Sequence, residues 1–223
     1  MLELQTLQFI SRLADNNNKP WFDAHRAQYE AARIDFTNFI HLVIDELQKS
    51  DATVTGLTGK ECMFRINRDI RFTNDKTPYK AYFGASIKRG GKKAPFAGYY
   101  FHLEPNGKSF IGGGLWMPEV PSLKKARQEI DYNWEEFKSI ITAKEFKRIY
   151  KDVYKGADQS LSTVPKGYEK ENPAIGYLKL KSFFGEAPIA DEELTKSTLH
   201  KKTIAAFKAL QPFLNFINRT IED

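Results

Sequence analysis

Arg65, Arg68 and Arg71 fall at three-residue spacing within FRINRDIRF (64–72), and Lys76 and Lys80 follow within TNDKTPYK (73–80). Guanidinium groups are planar, permanently charged, and grip carboxylate or phosphate through paired N–H···O bonds. Three of them within seven residues repel one another unless an anion or a set of acids lies between them. The chemistry this pattern points to is the binding of a small anionic, phosphate-like molecule. Asp69 and Asp75 are the acids at hand; Asp69 can orient a neighbouring arginine. If the site is catalytic, Asp69, Asp75 and His102 are its candidate acid/base groups.

A second pattern is Gly112-Gly113-Gly114-Leu115-Trp116-Met117-Pro118. Consecutive glycines let backbone approach a ligand closely or turn sharply out of a sheet. No Gly-Lys-Ser/Thr follows and no Gly-x-Gly-x-x-Gly is formed, so neither a P-loop nor a dinucleotide fingerprint is present. No cofactor is expected on this basis. If the run faces the arginines, Gly112–Gly114, Gly113 among them, forms the wall of the site with Trp116, which becomes a lid or stacking wall. The four histidines (25, 41, 102 and 200) show no ligand spacing, and Cys62 stands alone, so no metal site is expected.

These residues need elements to position them. Leu4, Leu7, Ile10 and Leu13 predict a helix over 4–14, ended by Asp15-Asn16-Asn17-Asn18. Pro20 suits the first turn of a second helix running to about residue 49. Its apolar stripe is Trp21, His25, Tyr29, Ala32, Phe36, Phe39, Val43 and Leu47. After residue 59 the period changes to two. The alternation predicts a strand over 64–72 with Phe64, Ile66, Ile70 and Phe72 on one face, Arg68 among them. Strands are predicted at 81–88, 97–104 and 108–114, the last two joined at Pro105-Asn106-Gly107. Helices follow at 123–130, 134–141 and 144–150, an irregular stretch at 155–173, and a last helix over 191–219, kinked at Pro212. The expected fold is α+β: an antiparallel sheet of about four to five strands packed against N- and C-terminal helices, in a single domain, 1–223.

Net charge is +6, and ten basic residues face three acids between Lys60 and Lys93, a window of +7 that leaves −1 for the rest. A focused field of this kind favours an anionic partner. No apolar run approaches the roughly 20 residues that span a bilayer, so no membrane partner is expected. MLELQTLQFI has no basic n-region, and the lone cysteine suits a reducing compartment; a cytoplasmic location is expected. A nucleic-acid-binding module that adds Lys88, Arg89, Lys92 and Lys93 to the basic region is an alternative. A non-catalytic interaction protein with a structural Arg–Asp network is another.

The chain resembles the bacterial domain-of-unknown-function family 2461. The carrying motifs are Asn-Asn-Lys-Pro-Trp-Phe at 17–22, Phe-Arg-Ile-x-Arg-Asp-x-Arg-Phe at 64–72, Asp-Lys-Thr-Pro-Tyr-Lys at 75–80, Gly-Tyr-Tyr at 98–100 and Gly-Gly-Gly-x-Trp-x-Pro at 112–118. Pro-Lys-Gly-Tyr at 165–168 and the Lys-x-Lys-Ser-Phe tract near 179 extend the likeness over nearly the whole chain. The resemblance implies one full-length domain. It implies no activity and no catalytic residue.

Overall fold

A computed structural model describes residues 1–222. Helix α1 (Leu4–Asp15) buries Leu7, Ile10 and Leu13, while Leu4 stays exposed. Asn18 then caps α2 (Lys19–Ala24) by accepting the Trp21 N–H at 3.0 Å, with Pro20 in the first turn. The single helix predicted from here to residue 49 is two. At His25 the backbone leaves helical dihedrals (φ −110°, ψ 20°), its ring stacks on Trp21 at 4.0 Å, and Nδ1 lies 2.8 Å from the Trp21 carbonyl. A side chain that bonds the preceding turn's carbonyl competes with the helical ladder. Helix α3 (Arg26–Leu47) resumes and buries Ala32, Phe36, Phe39, Val43 and Leu47 of the expected stripe. The short α4 (Gly59–Cys62) starts on a reciprocal Thr58–Glu61 capping box.

Residues 64–72 do not form the predicted strand. The one isolated bridge of this stretch among the described residues is Asn67–Tyr79, with Met63–Ala85 just ahead of it. The cause is local: the Asp69 and Asp75 carboxylates accept the backbone N–H of Arg71 (3.3 Å) and Thr77 (2.9 Å), turning the chain away from a ladder. Pro78 has no N–H to offer, although its carbonyl accepts from Arg68 N–H at 2.9 Å. The outcome is an excursion over 63–82 whose tip carries Phe72, 92% exposed.

The sheet has four antiparallel strands in the order β1-β2-β3-β4: β1 (Phe83–Ile87), β2 (Gly98–Leu103), β3 (Phe110–Leu115) and β4 (Phe183–Pro188). Three of the four expected strands therefore form, and β4 stands where none was foreseen. Asn106 (φ 68°) and Gly107 (φ 72°) give the β2–β3 turn two left-handed residues, a conformation that Asn and Gly tolerate best. Period-two alternation splits the sheet into two faces. Phe83, Ala85, Ile87, Tyr99, Phe101, Leu103, Ile111, Leu115 and Phe183 are buried on one.

That face is covered by α3 and by α10 (Leu199–Glu222). Phe36 and Phe39 of α3 meet Phe101 with ring centres 6.2 and 5.0 Å apart, and Phe207 of α10 meets Tyr99 at 4.8 Å. Between β3 and β4 come α5 (Val120–Tyr132), α6 (Trp134–Thr142), α7 (Lys144–Tyr150) and α8 (Ile175–Leu178). The last helix, expected from 191 to 219, is divided into α9 (Asp191–Leu194) and α10, which runs through Pro212. The arrangement is α+β, with ten α-helices among the described residues.

Candidate functional site

The second face of the sheet is not covered by a helix layer. Cross-strand register sets its side chains in rows. One row runs Ser86, Tyr100, Gly112, Glu186, and a second runs Gly84, His102, Phe110, Pro188. A third joins Gly98, Gly114 and Phe184, with Lys88 just past β1 beside Gly98. Over this face lies a cleft of about 750 Å³ whose lining includes Lys80, Lys92, Phe96 and Trp116. Its middle is paved with glycine. Gly114, at φ 143°, has a backbone that L side chains rarely adopt, and a Cβ on Gly112 would strike the Phe184 ring.

The cations of the cleft are lysines. Lys80 sits between rings, its Nζ 5.6 Å from the centre of Phe64 and 5.8 Å from that of Tyr82. Burial, with Arg65 nearby, pulls its pKa down; burial does the same to Lys88. Neither forms an ion pair among the described residues. Lys92 donates to the Met63 carbonyl at 2.7 Å. Glu186 faces the same space, and burial pushes its pKa up.

Tyr100, His102 and Glu104 form a connected set. His102 Nε2 lies 3.1 Å from Glu104 Oε2, and Nδ1 lies 3.2 Å from the Tyr100 hydroxyl. A carboxylate only accepts, so Nε2 carries the proton and Nδ1 accepts from Tyr100 O–H. Burial between Tyr82 (4.5 Å) and Phe110 (4.8 Å, nearly parallel) pulls the imidazole pKa down, and Glu104 partly offsets this. Burial also holds the Tyr100 phenol well above its ordinary range. The ring reaches this position because Gly84 is bare: a Cβ there would strike the Tyr100 hydroxyl. Chemically, the set is a hydrogen-bond relay from phenol through imidazole to carboxylate, and burial of both rings leaves the proton on Tyr100 and His102 neutral.

Of the residues singled out in the sequence, Lys80, His102 and Trp116 line the cleft, as do Lys88, Lys92 and Lys93 of the nucleic-acid alternative. Gly113 points the other way, where a Cβ would meet Leu210 of α10 at 2.7 Å. The arginines lie on the excursion. Arg68 is engaged by the Asp75 carboxylate and the Thr77 hydroxyl, which holds the Asp75 pKa down at about 2. Arg71 pairs with Asp69 through Nε (2.9 Å) and Nη2 (2.7 Å), and Lys76 donates to the Ile70 carbonyl at 2.9 Å. Arg65 forms no ion pair among the described residues. Ser86, Lys88 and Tyr100 belong to the cleft on strand parity alone, since they alternate with the apolar residues of β1 and β2. Glu186 and Phe184 had no such signal, because β4 was not foreseen.

Two side-chain amides fasten the cleft's β1 side. Asn17 donates to the Tyr79 carbonyl (2.8 Å) and accepts its N–H (3.0 Å); Asn218 does the same for Ala97 (3.1 and 2.8 Å). Each asparagine stands in for a strand neighbour.

The sequence model of a conserved hypothetical protein family, DUF2461, matches residues 5–216. The chain belongs to this family. No curated protein and no solved structure matches it. The family's description assigns no activity. Among the described residues no group of three or more His, Cys, Asp or Glu side chains is placed to hold a metal, and no helix is long and apolar enough to cross a membrane.

Proposed function

We propose that this family member binds a small anionic ligand in the cleft over the open sheet face, with Lys80, Lys88 and Lys92 as the gripping charges. One observation carries the reading. Lys80 and Lys88 are drawn into a concave site where burial disfavours their charge, and neither forms an ion pair among the described residues, although the Glu186 carboxyl shares the cleft. Desolvating a cation without a partner is costly, and an incoming anion relieves that cost. The arginines take a supporting part. Arg68 and Arg71 are matched by Asp75 and Asp69, and their pairs shape the excursion that delivers Lys80.

The test is a thermal-shift screen with inorganic phosphate, pyrophosphate and a panel of phosphorylated metabolites. The wild type is expected to be stabilised by at least one, as ligand binding to the folded state requires. Lys88→Ala should lose that shift and Arg68→Ala should keep it. A shift that survives Lys88→Ala and vanishes with Arg68→Ala would move the anion to the excursion.

The Tyr100–His102–Glu104 set favours a catalytic form of the same reading, in which a ligand hydroxyl gives its proton to the Tyr100 oxygen as the phenol's own proton passes to His102 Nδ1 and Glu104 holds the imidazolium. Turnover of whichever phosphoester stabilises the wild type should then fall at least about a hundredfold in Tyr100→Phe with binding retained, the usual scale of general acid–base assistance. Turnover unchanged in Tyr100→Phe rules the catalytic form out.

A further inference from the structure

The cleft is polarised from one sheet edge to the other. At the β1 edge are Lys80, Lys88 and Lys92. At the β4 edge stand Phe184 and Trp116, ring centres 5.5 Å apart and nearly perpendicular. The row between them, Lys88 to Phe184, crosses Gly98 and Gly114, two positions with no side chain. Three strand steps at roughly 4.8 Å each separate the charged end from the aromatic end by about 14 Å.

Trp116 is 52% exposed although it borders an apolar ring. The turn that carries it is fixed: Met117, at φ 43°, donates its N–H to the buried Ser182 hydroxyl at 2.9 Å. A large aromatic on a fixed turn, tilted against Tyr154 at 6.3 Å and still half open beside a floor of glycine, offers a surface on which a ring can stack. Glu186, one row away, supplies a carboxyl that can bond a ring nitrogen or an exocyclic amine.

We infer that the ligand is a phosphate monoester of a planar heterocycle, of which a purine nucleoside monophosphate is the simplest member. Its phosphate lies among the lysines, its sugar over Gly98 and Gly114, and its ring against Trp116. The assignment rests on the anion site proposed above and adds the second half of the ligand. Phosphate alone uses only one end of the cleft.

Isothermal titration with AMP, GMP, ribose 5-phosphate and adenosine tests it. On the wild type, AMP or GMP should bind at least about tenfold more tightly than ribose 5-phosphate, the scale of one base stacked on an aromatic. Trp116→Ala should erase that ratio and leave ribose 5-phosphate binding unchanged, while Trp116→Phe should restore most of it. Lys88→Ala should weaken AMP and ribose 5-phosphate by the same factor. Purine monophosphates that bind no better than ribose 5-phosphate, with the latter still sensitive to Lys88→Ala, overturn the ring site and leave the anion site standing. No phosphate compound binding at all overturns both. A 5′-phosphorylated oligonucleotide that binds more tightly than free AMP overturns the free-ligand assignment in favour of a strand end.

Discussion

Between the rings of Tyr82 and Phe110, His102 is kept neutral by burial against the partial pull of Glu104. Its ordinary value is 6.5, and the folded value lies below that. As pH falls through the ordinary value, the unfolded chain takes up a proton that the folded protein refuses. Stability attributable to His102 is therefore present at neutral pH and is lost on acidification through that range. Denaturant midpoints measured between about pH 7 and pH 5.5 should fall for the wild type and fall less for His102→Gln. Glu104→Gln removes the influence that raises the imidazole pKa, so its titration followed by NMR should move lower still. A shift upward would mean that Glu104 acts there as something other than a carboxylate acceptor.

At the scale of elements, Gly113 separates folding from site chemistry. It lies on the covered face, where a Cβ would come within 2.5 Å of the Gly98 carbonyl and 2.7 Å of Leu210. Gly113→Ala should destabilise by about 1–3 kcal/mol, as overpacked interiors do, read from denaturant unfolding. Lys88→Ala should change ligand binding and leave that stability nearly untouched. The same alternation explains what the sequence discloses and what it hides. Strands β1 to β3 are legible because Phe83, Ala85 and Ile87, then Tyr99, Phe101 and Leu103, are apolar at every second position, and Asn-Gly supplies the turn. Residues 64–72 carry the same period, yet Asp69 and Asp75 spend the backbone's donors on local turns, an effect that period alone does not reveal. Strand β4 is as long as β2 and β3 but is separated from β3 by helices α5 to α8, so its pairing depends on the assembled core. The lysines of the cleft were visible as charges. Their convergence was not, because it follows from strand parity on one side of the sheet and from where the excursion sets Lys80.

At the scale of the whole molecule, a basic window of +7 set in a chain otherwise near neutral makes attraction to an anion long-ranged and salt-sensitive. The thermal shift produced by pyrophosphate should shrink as sodium chloride rises from about 0.05 to 0.5 M. The near-UV circular dichroism of the unliganded protein, which reports fixed aromatic packing, should not change over that range. The reason is the pair of amides. Asn17, near one end of the chain, and Asn218, near the other, hold the backbone next to Lys80 and Gly98 by neutral hydrogen bonds that counter-ions do not screen. Shape and pull are thereby separable in this protein: salt dims the field of the cleft while its jaws keep their spacing, so a ligand washed out by ionic strength finds the same mould when the salt is withdrawn.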